Sequence, residues 1–220
     1  MFVHVDDSKT LPDLQSKTLS NGRFYKVNNR WYPSVTTVVN QETAEGIKRW
    51  EKRVGLNEAE KIRKQSAWRG TCYHEMVEDY LNNRTGSKDP FPLVEYIFRS
   101  SKSTLDKINN IHTLESTLYS EKLSLAGRVD CIAEYNGELA VIDFKTTTKL
   151  KKVEWLENYF IQASAYAYMY WELAQCEVKK LVILSVADDG EVQVEERYDK
   201  VHYLELLIDL IKKFVSRYET

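Results

Sequence analysis

The sequence predicts an α/β fold: a mixed β-sheet flanked by α-helices. Three observations lead there. Asn136-Gly137 lies between two runs rich in Val, Ile and Tyr, the strongest short hairpin signal, because a type I′ turn needs positive φ at both central residues. Residues 180–187 read Lys-Leu-Val-Ile-Leu-Ser-Val-Ala, the near-continuous apolar run of a strand buried inside a sheet. Stretches of helical period alternate with these strands in the order helix–strand–strand–strand–helix–strand, a sandwich arrangement.

Taken in order, residues 1 to about 20 mix Asp, Ser, Pro and Lys and read as an extended arm. Phe24–Tyr32 reads as a small hairpin turning at Asn28-Asn29. From Glu45 to Leu81 the pattern is helical, with a break near Gly55-Leu56-Asn57. Asn57 is the expected N-cap of the second helix, with Glu58 and Glu60 in its first turn. Gly70 inside that helix costs about 1 kcal/mol relative to Ala, which suggests a close backbone approach. Asn82–Pro92 is a loop by composition, Leu93–Asn109 an amphipathic helix, and Thr113–Ser120 a first strand leading into the hairpin. After it, Trp155–Cys176 is a helix heavy in Tyr and Ala, whose aromatic run is mostly core packing. Asp189-Gly190 turns the buried strand into an alternating one at Glu191–Tyr198, and Val201–Tyr218 is an amphipathic helix. One domain is expected over residues 1–220, with the arm and small hairpin at 1–32 and the main body at 33–220.

The chemistry starts from the Asn136-Gly137 turn. A two-residue loop sets Tyr135 opposite Glu138, and therefore Asp130 opposite Asp143, on a non-hydrogen-bonded pair with Cβ atoms roughly 4.5–5.5 Å apart. Two carboxylates so close repel, and in a partly buried site one keeps its proton unless a divalent cation takes an oxygen from each. Lys145, two residues on, projects from the same face. The pair is either solvated on an open face or a cation site. Ile132, Leu139 and Val141 share the face, and apolar neighbours favour the cation. Metal-assisted phosphoryl transfer is the leading reading of the residues.

Gly127-Arg-Val-Asp130 followed by Val141-Ile-Asp-Phe-Lys-Thr146 resembles the core of the PD-(D/E)xK nucleases, in particular their RecB-type exonuclease branch. The proline of the founding motif is absent, since Val129 precedes Asp130, but Gly-x-x-Asp is common in this branch. Two further segments resemble it: Arg69-Gly-Thr-x-x-His74-x-x-x-Glu78 and Gln162-x-x-x-Tyr166. The resemblance runs from about Pro33 to Val186 and implies a restriction-endonuclease-like core. It implies that His74, Asp130, Asp143 and the Phe144 carbonyl hold one or two Mg²⁺ or Mn²⁺ ions. Lys145 would then orient the attacking water, with Gln162 and Tyr166 positioning the attacking group and a neighbouring phosphate. Related nucleases place another acid upstream. Glu115 and Glu121 are candidates without a spacing argument, and exposed strand charges are the expectation for both. Whether Glu78 joins the site is open.

The implied partner is DNA, with single strands favoured. Net charge is −2, so binding must rest on local patches. Ser34 and Thr36, in a Pro-Ser-Val-Thr segment, either approach phosphates or cap the next helix. Arg69, Thr146 and Lys149 are further phosphate-contact candidates, the last two in the basic, hydroxyl-rich stretch 145–152. Lys48, Arg49, Lys52, Arg53, Lys61, Arg63 and Lys64 form either a phosphate track or a solvated helix face. Three widely spaced cysteines exclude a four-cysteine iron–sulfur cluster. No apolar run approaches the roughly 20 residues of a membrane helix. The first residues resemble neither a signal peptide nor a transit sequence; a cytoplasmic location is expected, or the mitochondrial matrix if a leader was removed. Other readings are an endonuclease or junction resolvase on the same fold, and a binding module without catalysis.

Overall fold

Two tight asparagine turns set the registers. In the computed structural model, which describes residues 1–5, 11–84 and 91–217, Asn28 and Asn29 adopt φ of 45° and 67°. They join β2 (Gly22–Val27) to β3 (Arg30–Pro33), and β1 (Ser16–Leu19) pairs on the other side of β2, so part of the expected arm is strand. Asn136 and Gly137, at 53° and 80°, join β5 (Leu125–Tyr135) to β6 (Glu138–Thr147). Tyr135 faces Glu138, the register the sequence predicts.

The main sheet has the order β4-β5-β6-β7-β8, with β4 at Ile108–Ser120, β7 at Lys180–Ala187 and β8 at Val192–Arg197. All neighbours are antiparallel except β6 and β7, which are parallel and joined across the helix α5 (Glu157–Ala174). This is the expected mixed sheet. Every residue of β7 is buried, because alternate side chains enter two different cores. Val141 and Ile183 pack with α1 (Val35–Val39), α5 and α6 (Lys200–Ser216); Ile142 and Val182 pack with α3 (Leu56–Leu81) and α4 (Pro92–Leu105). The small sheet meets the large one through Tyr25, Val27 and Tyr32 against Ala126, and through a bridge from Ser34 to Ala126.

Several boundaries differ from expectation for physical reasons. Gly55, at φ 90°, ends α2 (Ala44–Val54) and is itself the N-cap of α3. Only glycine takes that conformation freely, so Asn57 lies inside the helix. α4 starts with Pro92 in its first turn, where the missing N–H costs nothing. It stops at Leu105, because Ile108 and Asn109 already pair with Tyr135 and Glu134. α5 is shorter than expected at both ends. The arm at residues 6–10 and the loop at 85–90 lie outside the described residues.

One irregularity places the site. The recorded β5–β6 pairs end at Cys131 and Ile142. At the next step the backbone N–H of Phe144 donates to Asp130 Oδ2 at 2.9 Å rather than continuing the ladder. β6 carries on beside β7 as far as Thr147, so the sheet opens where the two aspartates stand. Gly137→Ala tests the turn behind this register: its Cβ would meet nothing within 4 Å, so the cost is backbone strain alone. A loss of about 1 kcal/mol is expected, read as a lower urea midpoint at unchanged m-value.

Candidate metal and catalytic site

Three carboxylates lie side by side across three strands. β4 pairs Leu114 with Cys131 and Ser116 with Val129, which puts Glu115 at the position facing Asp130. On the other side β5–β6 register puts Asp143 there. Glu115 has φ 48°, left-handed backbone in mid-strand, and such residues cost of order 1–3 kcal/mol. Its carboxylate turns to His74 on α3, with Oε1 3.2 Å from Nδ1, and to Arg128, with Oε2 2.8 Å from Nε.

His74 sits between acceptors. Its Nδ1 is also 3.8 Å from Asp130 Oδ1, and Nε2 lies 3.0 Å from the Phe144 carbonyl oxygen. Burial works against a charged ring, but the Glu115 hydrogen bond and the charges of Asp130 and Glu115 outweigh it and raise the pKa to about 9. Asp130 is raised to about 6, first by burial and then by Asp143.

Asp143 is 1% exposed. Gln162 Nε2 on α5 donates to its Oδ1 at 3.0 Å. Its Oδ2 is 2.5 Å from Lys145 Nζ, a close ion pair. Burial opposes the Lys145 charge, yet Asp143 and Asp130 hold its pKa above the ordinary value. Tyr166, one turn beyond Gln162, is buried with its ring against Gly127; a Cβ there would meet the ring at 2.7 Å and the hydroxyl at 2.8 Å. That contact gives the glycine of Gly127-Arg-Val-Asp130 its physical reason. Burial, with Asp130 and Asp143 nearby, pushes the Tyr166 phenol well up, so it is neutral.

The residues fit a divalent cation on two counts. One oxygen each from Glu115 and Asp130 and one nitrogen of His74 lie within 4.8 Å of one another. Asp143, 1% exposed and one strand from that cluster, adds a carboxylate whose Oδ2 faces only the Lys145 ammonium, a movable cation that leaves the oxygen's other lone pair to a metal.

The other expected residues distribute as follows. Glu115 is mostly buried at the site, so the expectation of an exposed strand charge is corrected. Glu121 stands at the β4–β5 turn, hydrogen-bonded to Asn28. Glu78 lies one turn past His74 and is not among the clustered ligands. Arg69 is corrected as a phosphate contact: it is 9% exposed, and its Nη1 lies 2.7 and 2.9 Å from the two carboxylate oxygens of Asp188. It clamps α3 to the end of β7, with Nε 3.4 Å from Thr146 Oγ1. Ser34 caps α1, its buried Oγ accepting from Thr37 N at 3.0 Å and bonding Thr36 Oγ1 at 2.9 Å. Capping is the reading this geometry supports. Lys149 is exposed, and so is the basic face of α2 and α3 apart from Arg69. Gly70 has room for a Cβ, 3.7 Å from Thr146, so no close approach demands it.

The profile of the PD-(D/E)XK nuclease superfamily matches residues 96–218. The chain belongs to that superfamily. The matched span contains Glu115, Asp130, Asp143, Lys145, Gln162 and Tyr166, while His74 precedes it. The chain is 34% identical over 130 residues to mouse mitochondrial genome maintenance exonuclease 1 and 33% over 129 to the human protein, covering 54% of this chain and 38% of each relative. It is 32% identical over 152 residues to the Xenopus tropicalis protein, covering 65% of this chain and 44% of that relative. The chain thus spans less than half the length of these relatives. A putative exonuclease from Eubacterium rectale shares the fold, with TM-score 0.50 at 13% identity over 69% of this chain and 65% of that one. The sheet is therefore a nuclease-superfamily core, of restriction-endonuclease-like architecture.

Two outcomes follow for the metal-free nuclease. The raised pKa of Asp130 means that ionising it disfavours the fold, a cost that builds between about pH 4 and 6 and is full above. Asp130→Asn removes it, so in EDTA the variant should melt higher than wild type at pH 8, by about 3 kcal/mol at most, with the gain vanishing towards pH 4. A cation that takes His74 must displace a proton held up to about pH 9. Mn²⁺ affinity should therefore rise from pH 6 to 9, and calorimetry in buffers of different ionisation enthalpy should show proton release.

Proposed function

We propose that this nuclease is a metal-dependent deoxyribonuclease that removes nucleotides from DNA ends, acting on unpaired strands, with one or two Mg²⁺ or Mn²⁺ ions. The observation that carries the reading is the Glu115–Asp130–His74 cluster, with the buried Asp143–Lys145 pair one strand away from it. The names of the mouse, human and frog relatives support exonuclease action. His74, Glu115, Asp130 and Asp143 would hold the cation, with the Phe144 carbonyl facing the same space. Bound there, the cation lowers the pKa of water and neutralises charge on the scissile phosphate.

The chain's own residues supply the rest. Lys145, a compact ammonium on a movable stem, offsets charge developing on the phosphate and holds a water by its protons. Gln162 fixes the rotamer of Asp143 through its amide, and so positions a ligand rather than the attacking group. Tyr166, neutral and wedged against Gly127, closes the α5 side and excludes water. Arg128, with its side chain 53% exposed, holds Glu115 in its strained turn. Repair or recombination of DNA is the fitting setting, in the cytoplasm or, on the relatives' names, the mitochondrial matrix. No helix among the described residues is long and apolar enough to cross a membrane.

Single-stranded DNA, end-labelled when linear and internally labelled when circular, tests the proposal. Linear strands should be degraded with Mg²⁺ or Mn²⁺, not in EDTA, and the circle should survive. Cleavage of the circle would replace the exonuclease by an endonuclease on the same site. Lys145→Met should lower kcat roughly 10²–10³-fold and Asp143→Asn by more, with the circular dichroism of both unchanged; full activity in Asp143→Asn would end the assignment.

A further inference from the structure

We propose that Trp155 is a stacking platform for an unpaired nucleic-acid strand, linked to the candidate site by an alternation of lysines and rings. The inference rests on the nuclease reading and names where the strand runs. Trp155 is 66% exposed, although a tryptophan has a large apolar area to lose from water. It ends a short 3₁₀ turn, Val153–Trp155, just before α5. The link runs through side-chain contacts as far as Lys151 and along the backbone from there. Lys145 Nζ, beside Asp143, lies 4.9 Å from the centre of the Tyr159 ring. Lys151 Nζ lies 4.6 Å from the same ring and donates to its hydroxyl at 2.5 Å. The chain then passes through Lys152, whose Nζ lies 5.9 Å from the Trp155 ring.

Charge alone does not explain the arrangement. Lys149, Lys151 and Lys152 are accompanied by Glu154 and Glu157, so the segment is only mildly basic. What distinguishes it is an open ring at the end of a lysine path from the phosphate-cleaving centre. Single-strand binding surfaces combine the same two parts, ammonium groups along the backbone and rings under the bases. Every base has a π-face, so such a platform tolerates any sequence. A duplex keeps its bases stacked on each other, so the platform selects unpaired strands.

The test measures binding of a fluorescein-labelled twenty-nucleotide oligothymidylate in EDTA, where nothing is cut. Trp155→Ala should weaken binding roughly 5- to 100-fold, Trp155→Phe should restore most of it, and Trp171→Ala, which removes another exposed ring, should change nothing. An abasic strand of equal length should bind wild type and Trp155→Ala alike. Equal affinity of wild type and Trp155→Ala for the oligothymidylate would overturn the platform, as would a shift in oligomeric state with strand affinity intact, which would make the ring a contact between copies of the chain. Hydrolysis of bis(p-nitrophenyl) phosphate by wild type with Mn²⁺ tests the nuclease reading separately: its absence removes the catalytic assignment and leaves the binding comparison to decide the platform.

Discussion

A row of three carboxylates across adjacent strands is the constraint on which the rest of this structure depends. Glu115, Asp130 and Asp143 are brought together by backbone pairing, and side by side they repel. Each is met by groups from a different part of the fold. Glu115 has Arg128 and His74; Asp130 has His74 and the Phe144 N–H; Asp143 has Lys145 and Gln162. His74 comes from α3 on one face and Gln162 from α5 on the other. The helices on both faces are thus required for the site as well as for the cores. A sheet with one open face could hold the acids but not both sets of partners.

The opening between β5 and β6 is the second consequence. An unbroken ladder would leave the Phe144 N–H and carbonyl bonded to β5 and hidden. Here the N–H goes to Asp130 and the carbonyl faces His74. The opposite edge of β6 stays paired with β7, whose eight residues are all buried. Gly127 then lets Tyr166 fill the space that a side chain on β5 would have taken. Local loss of pairing is tolerated because the diverted backbone groups are satisfied again by the site's own side chains.

Much of this was legible in the sequence, and for identifiable reasons. The Asn136-Gly137 turn has one comfortable geometry, so two residues fixed the facing of Asp130 and Asp143. The apolar run 180–187 is consistent with an internal strand, and it is one. Glu115 was undervalued, although the means to find it were present. With strands ending at Ser120 and starting at Leu125, a four-residue turn sets Glu115 opposite Asp130. Such a turn specifies register less sharply than an Asn-Gly pair, so the residue types alone leave the place of Glu115 open. The place of Arg69 is illegible in the sequence for a different reason. Its partner Asp188 lies 119 residues away, and no local pattern announces a pairing across that distance. Trp155 carried no motif at all; its exposure is a property of the folded surface.

The site's charge arithmetic ties stability to chemistry. Without a cation, three carboxylates face Arg128, Lys145 and a His74 that keeps its proton up to about pH 9, so the row is balanced by a proton at the position the proposed cation would take. On the proposed function, a single divalent ion taking its place on the ring would add two positive charges and remove one. The row is then left with one surplus positive charge. A phosphodiester carries one negative charge, so it restores the balance, and a dianionic ligand overshoots it. On that reading, the same imidazole that lets the metal-free sheet hold three acids would also set the charge of what the loaded site attracts. Replacing His74 by a permanent cation would keep the fold balanced but would block the exchange, whereas a neutral residue would permit the exchange at the cost of the metal-free protein's stability. Histidine is the side chain that meets both demands near neutral pH.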